Sequence, residues 1–187
     1  MVDWKGEELT LEAPAGTDLY RRPGKEFSNA PFRLIASPEG AFSVSVHVSC
    51  NLTGQYQQAG LLLSSSETTL QQNDLWIKAG VELWQGRPRA SVVVTRGEFG
   101  SDWSVADWPS SDHPAGASSY FVSFWIRLSR SMDGTIVVDI KYTEDGAWNF
   151  LRKTYGWGTA PVRIGLMSAA PEAGPAFSTD YSDFRLL

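Results

Sequence analysis

Residues 74–83, Asp74-Leu75-Trp76-Ile77-Lys78-Ala79-Gly80-Val81-Glu82-Leu83, decide how the rest of the chain is read. With a period of two, Leu75, Ile77, Ala79, Val81 and Leu83 face one way, and Trp76, Lys78, Gly80 and Glu82 face the other. The first face is continuously apolar and belongs against a core. The second carries an aromatic ring, a cation, a gap and an anion. Left open, that face is a binding surface. Covered, it holds charges that need partners, because an unpaired buried charge is strongly destabilising.

The same alternation recurs on both sides of this stretch. Phe42, Val44, Val46 and Val48 alternate with Ser43, Ser45, His47 and Ser49. In residues 57–63, Gln58, Gly60 and Leu62 share a face. Residues 90–96 follow a turn at Gln85-Gly86-Arg87-Pro88, which makes an antiparallel hairpin with the 74–83 strand. Residues 120–128 put Trp125 and Arg127 opposite Phe124, Ile126 and Leu128. Residues 135–142 put Val137, Asp139 and Lys141 opposite Ile136, Val138, Ile140 and Tyr142. Further strands are expected at residues 9–11, 32–35, 148–153, 162–169 and 184–187.

Elsewhere in residues 1–30, Pro14, Gly16, Pro23 and Gly24 interrupt regular structure, and Asp18-Leu19-Tyr20 is expected to lay an aromatic ring back on a sheet. Residues 97–118, with Trp103 and Trp108, are the longest stretch without alternation and read as a loop. Connections of that length inside a domain are often functional. No amphipathic segment extends beyond about two helical turns. Short strands with turn signals about every 8–12 residues predict an all-β, antiparallel sandwich or barrel, formed by a single domain over residues 1–187.

Composition narrows the function. At 187 residues the chain can bury about 70% of its unfolded surface. A net charge of −5 argues against nucleic-acid binding, which needs a basic face. No apolar run is long enough to cross a membrane as a helix. The first residues have no apolar signal region, and Cys50, the single cysteine, cannot form an internal disulfide, so a cytoplasmic protein is expected. His47 and His113 are the only histidines, so neither a metal site nor a cofactor is expected.

Several segments then occur in a telling order. They are Gln58-Ala59-Gly60-Leu61, residues 76–82, Ser101-Asp102-Trp103-Ser104, Asp145-Gly146 with Trp148 and Arg152, Gly165-Leu166-Met167 with Pro171, and Phe184. Spanning most of the chain from about Asp18 onward, this set resembles the uncharacterised family that includes the fungal "regulation of enolase" protein. That family is placed in the concanavalin A-like lectin/glucanase superfamily. The resemblance implies a jelly-roll β-sandwich of two curved antiparallel sheets, with ligand on the concave sheet. It implies little about activity, because one fold hosts many functions.

Glucanases of that superfamily carry two carboxylates on one strand, separated by one residue. Residues so spaced lie about 6.7 Å apart, at about 3.3 Å per residue, which suits the acid pair of glycoside hydrolysis. The sequence has no acid-x-acid pair, and no catalytic residue is assigned. Lys78 and Glu82 are about 13 Å apart along a strand and cannot pair directly. Each needs a cross-strand partner, with Gln58, Thr95, Arg127 and Asp139 as candidates. One reading is a groove where Trp76 or Trp125 stacks on a sugar ring while Lys78, Glu82 and Arg127 bond its hydroxyls. The other is a structural charge network sealed beneath the 97–118 loop. Asp102 and Trp103 either shape the groove rim or serve as a loop cap and a core plug. The expected function is binding of a carbohydrate or related polyol without turnover. The alternatives are a module docking on a metabolic enzyme, and a glycan-active hydrolase with an atypical site built on Glu82.

Overall fold

The computed structural model describes residues 3–4, 8–65, 70, 74–109 and 117–187. Alternation along the strands becomes two stacked sheets. In the first, β6 (Phe42–Leu52) pairs with β11 (Tyr120–Arg130), which continues to β12 (Ile136–Lys141) and β13 (Asn149–Thr154). On its other side β6 meets β15 (Phe177–Leu186), which also carries β1 (Asp3–Trp4) and β2 (Leu9–Ala13). The second sheet has six strands in the order β10 (Ser101–Asp107), β9 (Arg87–Arg96), β8 (Leu75–Trp84), β7 (Gln58–Ser64), β14 (Arg163–Ala169) and β5 (Phe32–Ala36). The strand pairs are antiparallel, and the one helical element among the described residues is a 3₁₀ turn at Gly97–Phe99.

The core lies between the two sheets. Val44, Val46 and Val48 from β6 and Phe124, Ile126 and Leu128 from β11 meet Ile77, Ala79 and Val81 from β8 and Val92 and Val94 from β9. Burying each of these valine, isoleucine, leucine and phenylalanine side chains contributes about 1.5–3 kcal/mol. Cys50 is a buried, free thiol of this core, and burial pushes its pKa well above the ordinary thiol value. Tyr181 crosses from β15 to the opposite sheet, where its hydroxyl donates to the Met167 carbonyl at 2.5 Å and accepts from the Gly60 N–H at 3.3 Å. The turn from β8 to β9 is the two residues Gln85 and Gly86, with φ of 51° and 67°. Those angles fit a type I′ turn, whose twist matches that of the flanking strands.

A smaller third layer sits on the outer face of the six-stranded sheet. It is the hairpin of β3 (Leu19–Arg22) and β4 (Lys25–Ser28), joined at Pro23-Gly24. Leu19 and Ala30 pack with Leu62, Trp76, Val93, Met167 and Ala169 in a second apolar cluster. A polar relay fastens the hairpin as well: the Arg21 N–H donates to Ser101 Oγ at 2.8 Å, and Ser101 Oγ is 2.6 Å from Thr95 Oγ1. The Arg21 guanidinium donates to the Gly97 carbonyl at 2.6 Å and to Glu26 at 2.7 Å.

Three expectations change. The proline and glycine near residue 23 do not interrupt structure but form the hairpin's turn. Residues 101–107 are an edge strand rather than loop, and 110–116 lie outside the described residues. The last strand already begins at Phe177.

Removing the Tyr181 hydroxyl leaves buried backbone groups short of a partner in the opposite sheet. Tyr181→Phe should lower unfolding free energy by about 1–3 kcal/mol, read as a lower urea midpoint with an unchanged slope. A midpoint equal to that of the parent protein would show that the cross-core bonds do not matter.

Candidate functional site

Both faces of β8 are buried, for different reasons. One packs into the core. The other lies partly beneath the hairpin, which carries Asp18 at its base. Lys78 and Glu82 are each 5% exposed, so their charges depend on what surrounds them. Lys78 Nζ donates to Asp18 Oδ1 at 3.2 Å and lies 6.0 Å from the centre of the Tyr20 ring. The same Asp18 oxygen accepts from Gln58 Nε2 at 3.1 Å and from the Leu19 N–H at 2.7 Å. The Asp18 carbonyl accepts from the N–H groups of Asn29 and Ala30, which closes the hairpin's base. One carboxylate therefore neutralises the lysine, orients Gln58 and anchors the cover.

Glu82 is held differently. Its Oε2 accepts from Ser91 Oγ at 2.7 Å and from Trp103 Nε1 at 3.0 Å. The Trp103 indole is held edge-on against Trp84, with ring centres 5.4 Å apart. Arg89 is opposite Glu82 in register, yet it pairs with Asp107 and lies over the Trp84 ring. Burial raises the Glu82 pKa above its ordinary value. The positive charge of Lys78 and the bonds from Ser91 and Trp103 oppose that rise, and the negative charge of Asp18 adds to it.

Between these groups lies a cleft of about 440 Å³, within the range of about 300–1,000 Å³ usual for small-molecule sites. Its floor comes from β7, β8 and β9 through Gln58, Lys78, Glu82 and Val93. The hairpin supplies Tyr20, Arg22 and Phe27, with Tyr20 and Phe27 opposite one another in register. Tyr56, Trp103, Pro171 and the exposed Glu172 complete the rim. Tyr56 has φ of 63°, a left-handed conformation that costs a non-glycine residue about 1–3 kcal/mol. Gly60 and Gly80 face each other across β7 and β8, and a Cβ on either would come within 2.0 Å of a backbone carbonyl oxygen on the neighbouring strand. Side chains are excluded from that part of the sheet.

The structure brings together Lys78, Glu82, Gln58 and Trp103 and separates the other expected site residues from them. Trp76 shares the face but is 2% exposed beneath the hairpin cluster and offers no ring face. Thr95 is fully buried and bonded to Ser101, so it fastens the hairpin. Asp102 alternates to the other side of β10 and pairs with Arg152 of β13, bridging the edges of the two sheets. Trp125, Arg127 and Asp139 are on the seven-stranded sheet, because the chain crosses over between β10 and β11. There Arg127 pairs with Asp139 at 2.8 Å and stacks on Trp148 at 4.3 Å, while Trp125 lies between His47 and Lys141, with centre distances of 4.4 and 4.5 Å. The partners proposed for Lys78 and Glu82 are thereby replaced by Asp18, Ser91 and Trp103. Asp18 carried no sequence signal beyond its place beside Leu19-Tyr20, and Ser91 was legible only once β9 was set in register with β8.

A family model described as "Protein of unknown function (DUF1349)" matches residues 2–187. The Saccharomyces cerevisiae protein "Regulation of enolase protein 1" is 25% identical over 180 residues, 96% of this chain and 81% of that protein. The crystal structure of a functionally unknown Saccharomyces cerevisiae protein superposes with a TM-score of 0.75 at 22% identity, covering 96% of this chain and 87% of that one. The metal-free lectin I-B4 from Griffonia simplicifolia gives a TM-score of 0.54 at 13% identity, covering 96% and 92% of the two chains. The sandwich is thus of the concanavalin A-like lectin/glucanase type.

A carboxyl whose folded pKa is raised favours folding below its unfolded pKa, and that contribution is lost as pH rises through the folded value. Glu82→Gln removes this dependence. Its stability relative to the parent should therefore improve as pH rises from about 4 to 7, measured as the difference in urea midpoints at each pH. A difference that stays flat over that range contradicts the assigned environment.

Proposed function

The chain belongs to the DUF1349 family of proteins of unknown function, and on that premise we propose that it binds a carbohydrate or related polyol in the cleft above β8 without turning it over. The observation that carries this reading is the joining of an aromatic wall to buried polar groups. Tyr20, Phe27, Tyr56 and Trp103 supply flat apolar surface, while Gln58, Lys78 and Glu82 present donors and acceptors in the same space. Sugars have both requirements, with apolar ring faces bordered by hydroxyls. The lectin fold of the Griffonia simplicifolia protein supports the class.

Binding without turnover follows from how the carboxylates are used. Hydrolysis of a glycosidic bond usually employs two carboxyl groups placed on either side of it. Asp18 is committed to Lys78, Gln58 and the Leu19 N–H, and Glu172 is exposed at the rim. Among the described residues, Glu82 is left as the one deep carboxyl in the cleft outside a salt bridge.

A second reading rests on the yeast relative, whose name refers to regulation of enolase. In it the chain docks on a metabolic enzyme. Co-sedimentation with purified enolase that is indifferent to added sugars would favour that reading over the first.

A thermal-shift screen over neutral, amino and acidic sugars and sugar alcohols tests the main reading. A ligand at about 100 times its Kd adds about 2.7 kcal/mol of stability. The shift should shrink in Trp103→Ala, which strips the wall, and persist in Phe150→Ala, an exposed position on the other sheet. A panel that gives no shift at all would refute the binding of sugars here.

A further inference from the structure

Glu82 is a buried carboxylate that forms no salt bridge among the described residues, the positive charge of Lys78 reaching it only from beyond contact. Ser91 and Trp103, both neutral, bond one of its oxygens, and Oε1 has no partner among the described residues. The cations beside it on the sheet form their salt bridges with other acids: Lys78 with Asp18, and Arg89, opposite Glu82 in register, with Asp107. A carboxylate at this depth is costly to keep charged, and a cation entering the cleft that Glu82 lines would complete it. The wall is suited to such a group, because aromatic ring faces attract ammonium ions, and Tyr20, Phe27, Tyr56 and Trp103 line the same cleft. Around the cleft, the three acids Asp18, Glu82 and Glu172 outnumber the two cations Lys78 and Arg22 by one, so it is negative overall.

We propose that the cleft selects an amino sugar, a hexose ring bearing a protonated amine, with the ammonium donating to Glu82 Oε1 and the ring hydroxyls bonding the polar groups around Gln58. This rests on the sugar-binding reading and narrows it. A bare alkylammonium leaves the polar groups around Gln58 unused. An acidic sugar meets the excess negative charge.

Titration calorimetry at about pH 7, where an amine of this kind is protonated, separates the outcomes. The probes are glucosamine, N-acetylglucosamine, glucose, glucuronate and tetramethylammonium. Glucosamine should bind at least about tenfold more tightly than glucose and N-acetylglucosamine, as expected for a charge-assisted hydrogen bond. Glu82→Gln should bring the ratio of glucosamine to glucose affinity to about one. Equal binding of glucosamine and glucose by the parent protein overturns this inference and leaves the sugar reading standing. Tetramethylammonium matching glucosamine, or glucuronate exceeding it, also overturns the inference. Failure of every sugar to bind overturns both. The comparison among ligands needs no variant, so it holds even if Glu82→Gln folds poorly.

Discussion

An ammonium under a sheet face has to find an anion, and the one Lys78 finds is sixty residues earlier in the chain. Breaking such a pair by removing one partner costs about 3–5 kcal/mol, because the remaining charge stays buried. The β3–β4 hairpin is therefore more than decoration on a sandwich. Asp18 ties it to Lys78 and Gln58, Leu19 presses it onto an apolar cluster, and Arg21 fastens its far side near Gly97 and Ser101. The cleft exists because this third layer covers only part of the sheet. It is bounded on one side by the hairpin's aromatic face and on the other by Trp103.

The outer face of the seven-stranded sheet solves the same problem without a cover. Arg127 pairs with Asp139 and stacks on Trp148, Lys141 lies over Trp125, and His47 bonds Ser182 and Ser123 at 2.9 and 2.8 Å. Every charged or aromatic group in this patch is matched within its own sheet. Glu82 differs from Asp139 in that, among the described residues, its carboxylate bonds neutral groups and forms no salt bridge.

Much of the sandwich could be read from the sequence because alternation is a local property: whether a residue faces in or out depends on its neighbours two positions away. The two faces of β8 followed directly, and so did the hairpin formed with β9. Membership of a sheet is not local. Trp125, Arg127 and Asp139 alternate as cleanly as Lys78 and Glu82, yet nothing near them shows that the chain has crossed to the other layer. The β3–β4 hairpin is too short to show a clear alternation, and its Pro-Gly turn reads locally as an interruption. The edge strand β10 was hidden because both of its sides carry polar residues, so its period was faint. Asp18 could not have been found by pattern at all, since its role depends on a contact forty residues from Gln58 and sixty from Lys78.

Cys50 is set in the core of the seven-stranded sheet, on β6, and burial keeps it protonated. Thiol reagents attack the thiolate, and only where they can reach it. The native molecule thus carries a single silent label that becomes reactive when β6 parts from its neighbours. Its rate of modification is an intrinsic clock for opening of the sandwich, available without any added dye or engineered cysteine.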